Sequence, residues 1–494
     1  MAPLLNVPLE VLLQITSHLT TPEYGYLRRT CKQLEALLFG AFAREFFSKR
    51  QFALVEFSLQ ALLDIAKSRL GPSITHLIIH LERPYTTRIP TRYAGITRGQ
   101  LPSGKIAAQA NQYQAECIGH MEFMKTGRDV EMLSDAMKLL PNLETIGMRD
   151  FHSTQRSRDS TCWNSYGSPT FLQRTGHRLD LPLMTRGPEY TGHVFLTILQ
   201  AIGNVAVSGH SGPDITRLEV LLHQCQASDH YFKIPSSLDA AVSLALGKLK
   251  TIFLDNLGGE EPYILAGDVG GRTDPIVGTG YFLSRFLAKA PAVEHLRLNF
   301  QSYDRDSTQK FLSWLADARE APTDGVASPL GSLAEANASG SLPAHFPPTP
   351  EFPNLQYLDI GMTTVTERTL LDLYRRYKST LRGTSLHKVT LEGTIEAKIN
   401  YWARLCNALV KINLELKAIR LSFIKQKTPG PPVRNCEVVF KGSRNRSVKI
   451  WRGSTFSQTI KDTIEDMDLL WDESNGDDDD ESMNDSSDDD SDMM

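Results

Sequence analysis

The sequence predicts an α/β fold: a short N-terminal helical module, an irregular solenoid of helix–strand units on a parallel sheet, and a disordered acidic tail. Three observations lead there. Apolar residues at helical spacing mark three short helices within the first fifty residues. The pattern apolar-x-x-apolar-x-apolar then recurs eight times, with helix-like segments between. Residues 472–494 hold twelve Asp and Glu and no Lys or Arg, a composition that cannot bury a core.

Pro8 suits a first helical turn, where its missing N–H is no loss. Val11, Leu12, Ile15 and Leu19 then share one apolar face. Thr21-Pro22-Glu23 repeats the start signal: a hydroxyl N-cap, a proline and an acid in the first turn. A third helix runs through Cys31, Leu34, Leu37 and Leu38. Gly25 inside the second helix costs about 1 kcal/mol relative to Ala. So small a module is stable only against the rest of the chain or a partner.

These residues resemble an F-box, whose pattern is Leu-x-x-Leu-Pro-x-Glu-apolar-Leu-x-x-Ile-x-x-x-Leu, a polar–Leu helix, then apolar-Cys-Lys/Arg. Pro8, Glu10, Leu12, Ile15, Leu19, Leu27, Cys31 and Lys32 fall on matching positions, with Val7 in place of the usual Leu. Residues 43–52 and 56–70 are similar to segments of filamentous-fungal F-box proteins. The resemblance implies docking to the Skp adaptor of a Skp–cullin–F-box ubiquitin ligase. Pro8, Leu12, Ile15 and Leu19 would meet the adaptor, with Leu27 and Cys31 packing the module.

Beyond residue 49 the spacing predicts a strand over Arg50–Phe57, a helix over Leu59–Leu70 with Ser58 as N-cap and Gly71-Pro72 as stop, and a strand over Ile74–Leu81. The last is the first of the recurring strands, at Ile74/Leu77/Ile79, Leu143/Ile146/Met148, Ile215/Leu218/Val220 and Leu249/Ile252/Leu254. The others are Val293/Leu296/Leu298, Leu355/Leu358/Ile360, Leu386/Val389/Leu391 and Leu416/Ile419/Leu421. Helices precede them at Leu133–Leu140, Val194–Ile202, Leu238–Leu246, Tyr281–Ala290, Glu367–Leu381 and Ala397–Asn413. Neither a lone helix nor a lone strand buries its apolar face, so the units must stack. The array resembles a degenerate leucine-rich repeat. Its spacing is irregular, and Phe151, His223, Leu257, Gln301, Thr363 and Thr394 stand where the repeat's Asn or Cys belongs.

The excess length forms insertions at 82–112, 150–192, 258–280 and 321–351, the last read as a disordered loop. Arg156, Arg158, Arg174 and Arg178 in the second insertion are candidate contacts for a substrate or polyanion. So are Arg444 and Arg446 in the basic strip 425–452, where two edge strands, Val438–Phe440 and Ser447–Trp451, flank a turn and close the array. A helix is expected over 456–471. The expected domains are thus 1–49, 50–455, the terminal helix and the tail 472–494.

The chain has a net charge of −4, but 53 basic residues face only 45 acids outside the tail, so residues 1–471 carry +8. Ser474, Ser482, Ser486 and Ser487 each precede an acid by three residues, a context similar to acidophilic kinase sites. The six cysteines form no C-x-x-C pair, so no metal site or disulfide framework is expected, and a cytoplasmic or nuclear location is the default. Neither a signal peptide nor an apolar run long enough to span a membrane is read. His76 and His80 lack the helical H-E-x-x-H setting, Gly209–Pro213 lacks the second Gly of a nucleophile elbow, and Gly267, Gly270 and Gly271 fit no phosphate loop. The expectation is a non-catalytic, cofactor-free substrate-recognition subunit, its partners the Skp adaptor, cullin through it, and a substrate protein. Nucleic acid and membrane are not expected partners. The alternative is an interaction protein outside a ligase that binds basic partners such as histones through its tail.

Overall fold

The strands of this chain pair mainly with their sequence neighbours, in parallel, because each is delivered by a preceding helix. The computed structural model describes residues 4–85, 103–155, 162–181, 187–209, 212–258, 280–301, 305–316, 347–393, 399–428, 434–442, 445–453 and 456–471. Arg156, Arg158, Arg444, the acidic tail and most of the insertions expected at 82–112, 258–280 and 321–351 lie outside these residues. The chain forms two units, one from residues 1–182 and 210–214, the other from 183–209 and 215–472. The division at 182 falls inside the span 50–455 read from the sequence as one domain.

The first unit opens with α1 (Leu9–Ser17), α2 (Thr21–Thr30) and α3 (Lys32–Phe47). Then come β1 (Lys49–Ala53), α4 (Glu56–Ala66), β2 (His76–His80), α5 (Ser103–Lys125), α6 (Arg128–Lys138) and β3 (Thr145–Arg149). An antiparallel pair, β4 (Ser153–Gln155) and β5 (Cys162–Trp163), precedes α7 (Ser168–Thr175). β1, β2 and β3 are parallel neighbours, with Phe52 beside Ile79 and Ile79 beside Met148. Leu59, Leu62, Leu133 and Met137 from α4 and α6 are buried along with Leu77, Ile79 and Ile146 of the strands. Ala53, Val55, Tyr113, Cys117, Phe171 and Leu179 make a second apolar cluster.

Two local expectations change. β1 stops at Ala53 and α4 begins at Glu56, so Ser58 is inside the helix instead of capping it. Its hydroxyl is committed elsewhere: it accepts from the Ala53 N–H at 3.1 Å and donates to the Tyr166 carbonyl at 2.8 Å. Residues 103–125, of which 103–112 are read from the sequence as insertion, form a long helix.

The second unit contains α8 (Gly187–Val207), β6 (Arg217–Leu221), β7 (Ala227–Ser228), α9 (Asp239–Leu246), β8 (Thr251–Leu254), β9 (Leu257–Gly258), α10 (Tyr281–Leu287), β10 (His295–Asn299) and α11 (Arg305–Leu315). It continues with β11 (Tyr357–Thr366), α12 (Glu367–Arg376), β12 (Gly383–Glu392), α13 (Tyr401–Lys411), β13 (Ala418–Ser422), β14 (Lys425–Thr428), β15 (Arg434–Phe440), β16 (Val448–Arg452), α14 (Phe456–Asp466) and β17 (Met467–Trp471). β6, β8, β10, β11 and β12 are parallel and adjacent in sequence order, the topology of a solenoid. Leu218, Ile252, Leu296 and Leu358 fall in one row of the register and are all buried. By composition α8 could cross a membrane, but 61% of its apolar window is buried inside the protein. At Gly203 any Cβ would sit 3.3 Å from that of Ala241, so the glycine lets α8 lie close on α9.

The sheet forks at β12. Residues Gly383–His387 pair with β13, and Thr390–Glu392 pair with β14. The antiparallel strands beyond the fork correct two readings. β15 and β16 do not form a hairpin with each other: β15 pairs with β14 and β17, and β16 pairs with β13. The terminal helix ends at Asp466, and Met467–Trp471, whose burial alternates with period two, form a strand instead.

Candidate functional site

The N-terminal module is held by local signals and a small aromatic core. α2 starts one residue earlier than Thr21 suggests: Thr20 is the N-cap, and its N–H and hydroxyl donate to Glu23 Oε2 at 2.8 and 2.7 Å. Cys31 caps α3, its Sγ accepting from the Leu34 N–H at 3.5 Å. Leu12, Tyr24, Leu34, Leu38 and Phe46 are buried, with Tyr24 set edge-on to Phe42 at 6.0 Å. Arg28 stacks 3.4 Å over Phe42 and pairs with Glu35 at 3.0 Å. Arg69, three residues beyond α4, also pairs with Glu35, and it is the larger cause of that carboxyl's lowered pKa.

The sequence-expected docking residues do not all point outward. Leu12 is 0% exposed and belongs to the core, so it offers no surface to a partner. Pro8 is exposed, Ile15 is 41% exposed, and Leu19, Leu27 and Cys31 are half-buried. Val11, 43% exposed, lies one turn before Ile15, and together they form an outward apolar stripe. Leu4, Leu5 and Leu9 at the start of the module and Leu37 on α3 are exposed as well. Leu9 escaped the sequence reading because apolar residues surround α1 on more than one side.

In the second unit, one face of the parallel strands carries charged, aromatic and polar side chains in register. One row runs Arg217, Thr251, His295, Tyr357 and Gly383; the next runs Glu219, Phe253, Arg297, Asp359 and Ser385. The side chains hold one another. Arg217 bonds Glu219 at 2.7 Å and covers the Phe253 ring at 4.6 Å. Arg297 lies over the same ring at 5.7 Å and reaches Asp255 at 3.2 Å. His295 Nε2 contacts Asp359 at 2.8 Å and its ring lies 5.3 Å from that of Tyr357, which is 41% exposed. Pre-ordered aromatic and guanidinium groups on a rigid sheet suit recognition of another protein.

Three of the candidate arginines, Arg174, Arg178 and Arg446, lie among the described residues. Arg174 on α7 is paired with Glu116 at 2.8 Å, and Arg178 is exposed in the first unit. Arg446 is exposed in the second unit, its carbonyl accepting from the Phe440 N–H at 2.7 Å.

A further group gathers just past β2 and β3. His80 Nδ1 lies 3.3 Å from Glu82 Oε2, and His152 Nε2 lies 3.2 Å from Glu82 Oε1. Ser165 donates to Glu82 Oε2 at 3.1 Å, and Gln51 Nε2 donates to Ser165 at 3.1 Å. Burial opposes ionisation of Glu82, but the hydrogen bonds from His152 and His80 outweigh it and hold the carboxyl at about 2. The hydrogen bond to Glu82 raises the His152 pKa in turn.

No family model matches the chain, and no curated protein matches it. Among solved structures, it is similar to the leucine-rich repeat-containing protein LegL7 from Legionella pneumophila, at 10% identity over 76% of this chain and 90% of that one, with a TM-score of 0.27. A chain of the Rad7 and Elc1 complex in yeast matches at 10% identity over 82% of this chain and 83% of that one, with a TM-score of 0.22. At TM-scores this low neither likeness bears on function.

Proposed function

We propose that this chain is a non-catalytic substrate-recognition subunit of a Skp–cullin–F-box ubiquitin ligase, working in the cytoplasm or nucleus. The observation that carries the reading is the outward apolar stripe of Val11 and Ile15 on a module whose residues match the F-box pattern. Contiguous apolar surface left in water is where partners dock. The adaptor covers that stripe, and cullin joins through the adaptor. A substrate protein is held on the sheet face around Phe253, His295, Arg297 and Tyr357. The mechanism is proximity: holding a substrate near a charged conjugating enzyme raises its effective concentration without chemistry in this chain.

The test is adaptor capture by full-length protein carrying Val11→Glu and Ile15→Glu together. Capture is expected to be lost while the melting temperature stays near that of the parent. Capture that survives both charges overturns the docking assignment.

A further inference from the structure

We propose that His80, Glu82 and His152 form a binding site for a divalent transition-metal cation of the zinc type. Sequence spacing pairs His80 with His76, whereas the fold pairs it with Glu82 and with His152, which follows β3. The ligand atoms of these three residues lie within 4.8 Å of one another. Two imidazoles and a carboxylate are the donor set that borderline divalent cations take, leaving a fourth position for water.

The distances fit. Around a tetrahedral cation with ligand bonds of about 2.0–2.1 Å, neighbouring donors stand roughly 3.3 Å apart. Each nitrogen has that spacing to its own oxygen of the carboxylate, His80 Nδ1 at 3.3 Å from Glu82 Oε2 and His152 Nε2 at 3.2 Å from Glu82 Oε1, so one imidazole must shift for all three groups to share a cation. His80 Nδ1 also faces a conflict that a cation resolves. It lies 3.3 Å from the Glu82 N–H, which requires a lone pair, and 3.3 Å from the Glu82 carboxylate, which requires a proton. A cation between Nδ1 and Oε2 uses the lone pair and the carboxylate charge together. Ser165, oriented by Gln51, fixes the carboxylate from behind, as outer partners of metal ligands do.

One side chain must move. The His80 and His152 rings are stacked 12° from parallel at 5.0 Å, and a cation cannot lie in both ring planes at once. His80 is enclosed, whereas the His152 side chain is 40% exposed, so His152 is the ring that turns with the smaller loss of packing. Binding therefore breaks the stack, releases protons and clips the segment after β2 to the segment after β3.

The experiment titrates chelator-treated full-length protein with Zn²⁺ by calorimetry and with Co²⁺ by visible absorption. One saturable site per chain and a rise in melting temperature with Zn²⁺ are expected. His152→Ala, a substitution at a half-exposed position, should abolish both, and Ser165→Ala should weaken affinity by about 10–100-fold. No saturable binding by the parent, or equal affinity in His152→Ala, overturns the site and leaves the cluster as a hydrogen-bonded histidine pair. His152→Ala keeps the test decisive if the buried Ser165→Ala variant fails to fold.

Discussion

Thr384 lies beside Leu358 in the parallel register of β12 and β11, and its hydroxyl donates to the Leu358 carbonyl at 2.7 Å. Its one proton is thereby used, so the buried Tyr374 hydroxyl, 2.9 Å away, donates to it. The row that places Ile252, Leu296 and Leu358 thus continues through a threonine. The repeat triple on β12 is Leu381/Thr384/Leu386, not the Leu386/Val389/Leu391 that apolarity alone selects.

Thr384→Val keeps the shape but strands the Tyr374 hydroxyl and a carbonyl contact in the core. The expected loss is about 1–3 kcal/mol in denaturant unfolding. Adding Tyr374→Phe removes the stranded donor and should restore much of it. Two additive losses would contradict the assigned bond.

Gly361, next to Asn299 across β10 and β11, has no room for a side chain. A Cβ there would stand 2.0 Å from Asn299 Oδ1. Asn299 Nδ2 donates to Asp255 at 2.7 Å, so Gly361→Ala should push Asn299 away from that partner. The variant is expected to lose about 1–3 kcal/mol, chiefly from the broken buried bond. Pairing it with Asn299→Ala should give less than the summed effect.

Thiol labelling should divide the described cysteines by burial. Burial pushes the Cys406 thiol up to about 12 and the Cys117 thiol up to about 11, so little thiolate exists at either near pH 8. A maleimide added to native protein should spare both and react at half-buried Cys31. Labelling of Cys406 or Cys117 before denaturation would contradict the packing around α13 or α5.

The two sides of α1 should respond differently. Leu12→Ala empties a core position and is expected to cost about 2–5 kcal/mol. Ile15→Ala, at an exposed position, should stay within roughly 0.5 kcal/mol of the parent in thermal unfolding.

The recurring strands were legible because Leu, Ile and Val at fixed offsets are what a buried parallel strand needs. Thr384 hid one of them, since its hydroxyl is satisfied only by a carbonyl and a tyrosine that the fold brings near. β14 was hidden more deeply. Lys425-Gln426-Lys427-Thr428 reads as polar, yet Gln426 is 0% exposed because it accepts from the Tyr401 N–H and donates to the Ile399 carbonyl. The N-terminal module was legible as helices, but not in which way α1 faces: Leu9, Val11, Leu12 and Ile15 leave its apolar sides indistinct, and only the fold shows that Leu12 is the one buried along with Tyr24 and Leu38. The His80, Glu82 and His152 cluster had no local signal, since β3 delivers His152 from far along the chain.

The most direct test of the central claim is co-expression of full-length protein with a filamentous-fungal Skp adaptor, followed by size exclusion with mass determination. A one-to-one complex that Val11→Glu with Ile15→Glu dissociates is the predicted result. A free monomer that ignores the adaptor, with Val11 and Ile15 still exposed to labelling once changed to cysteine, would contradict the ligase-subunit account.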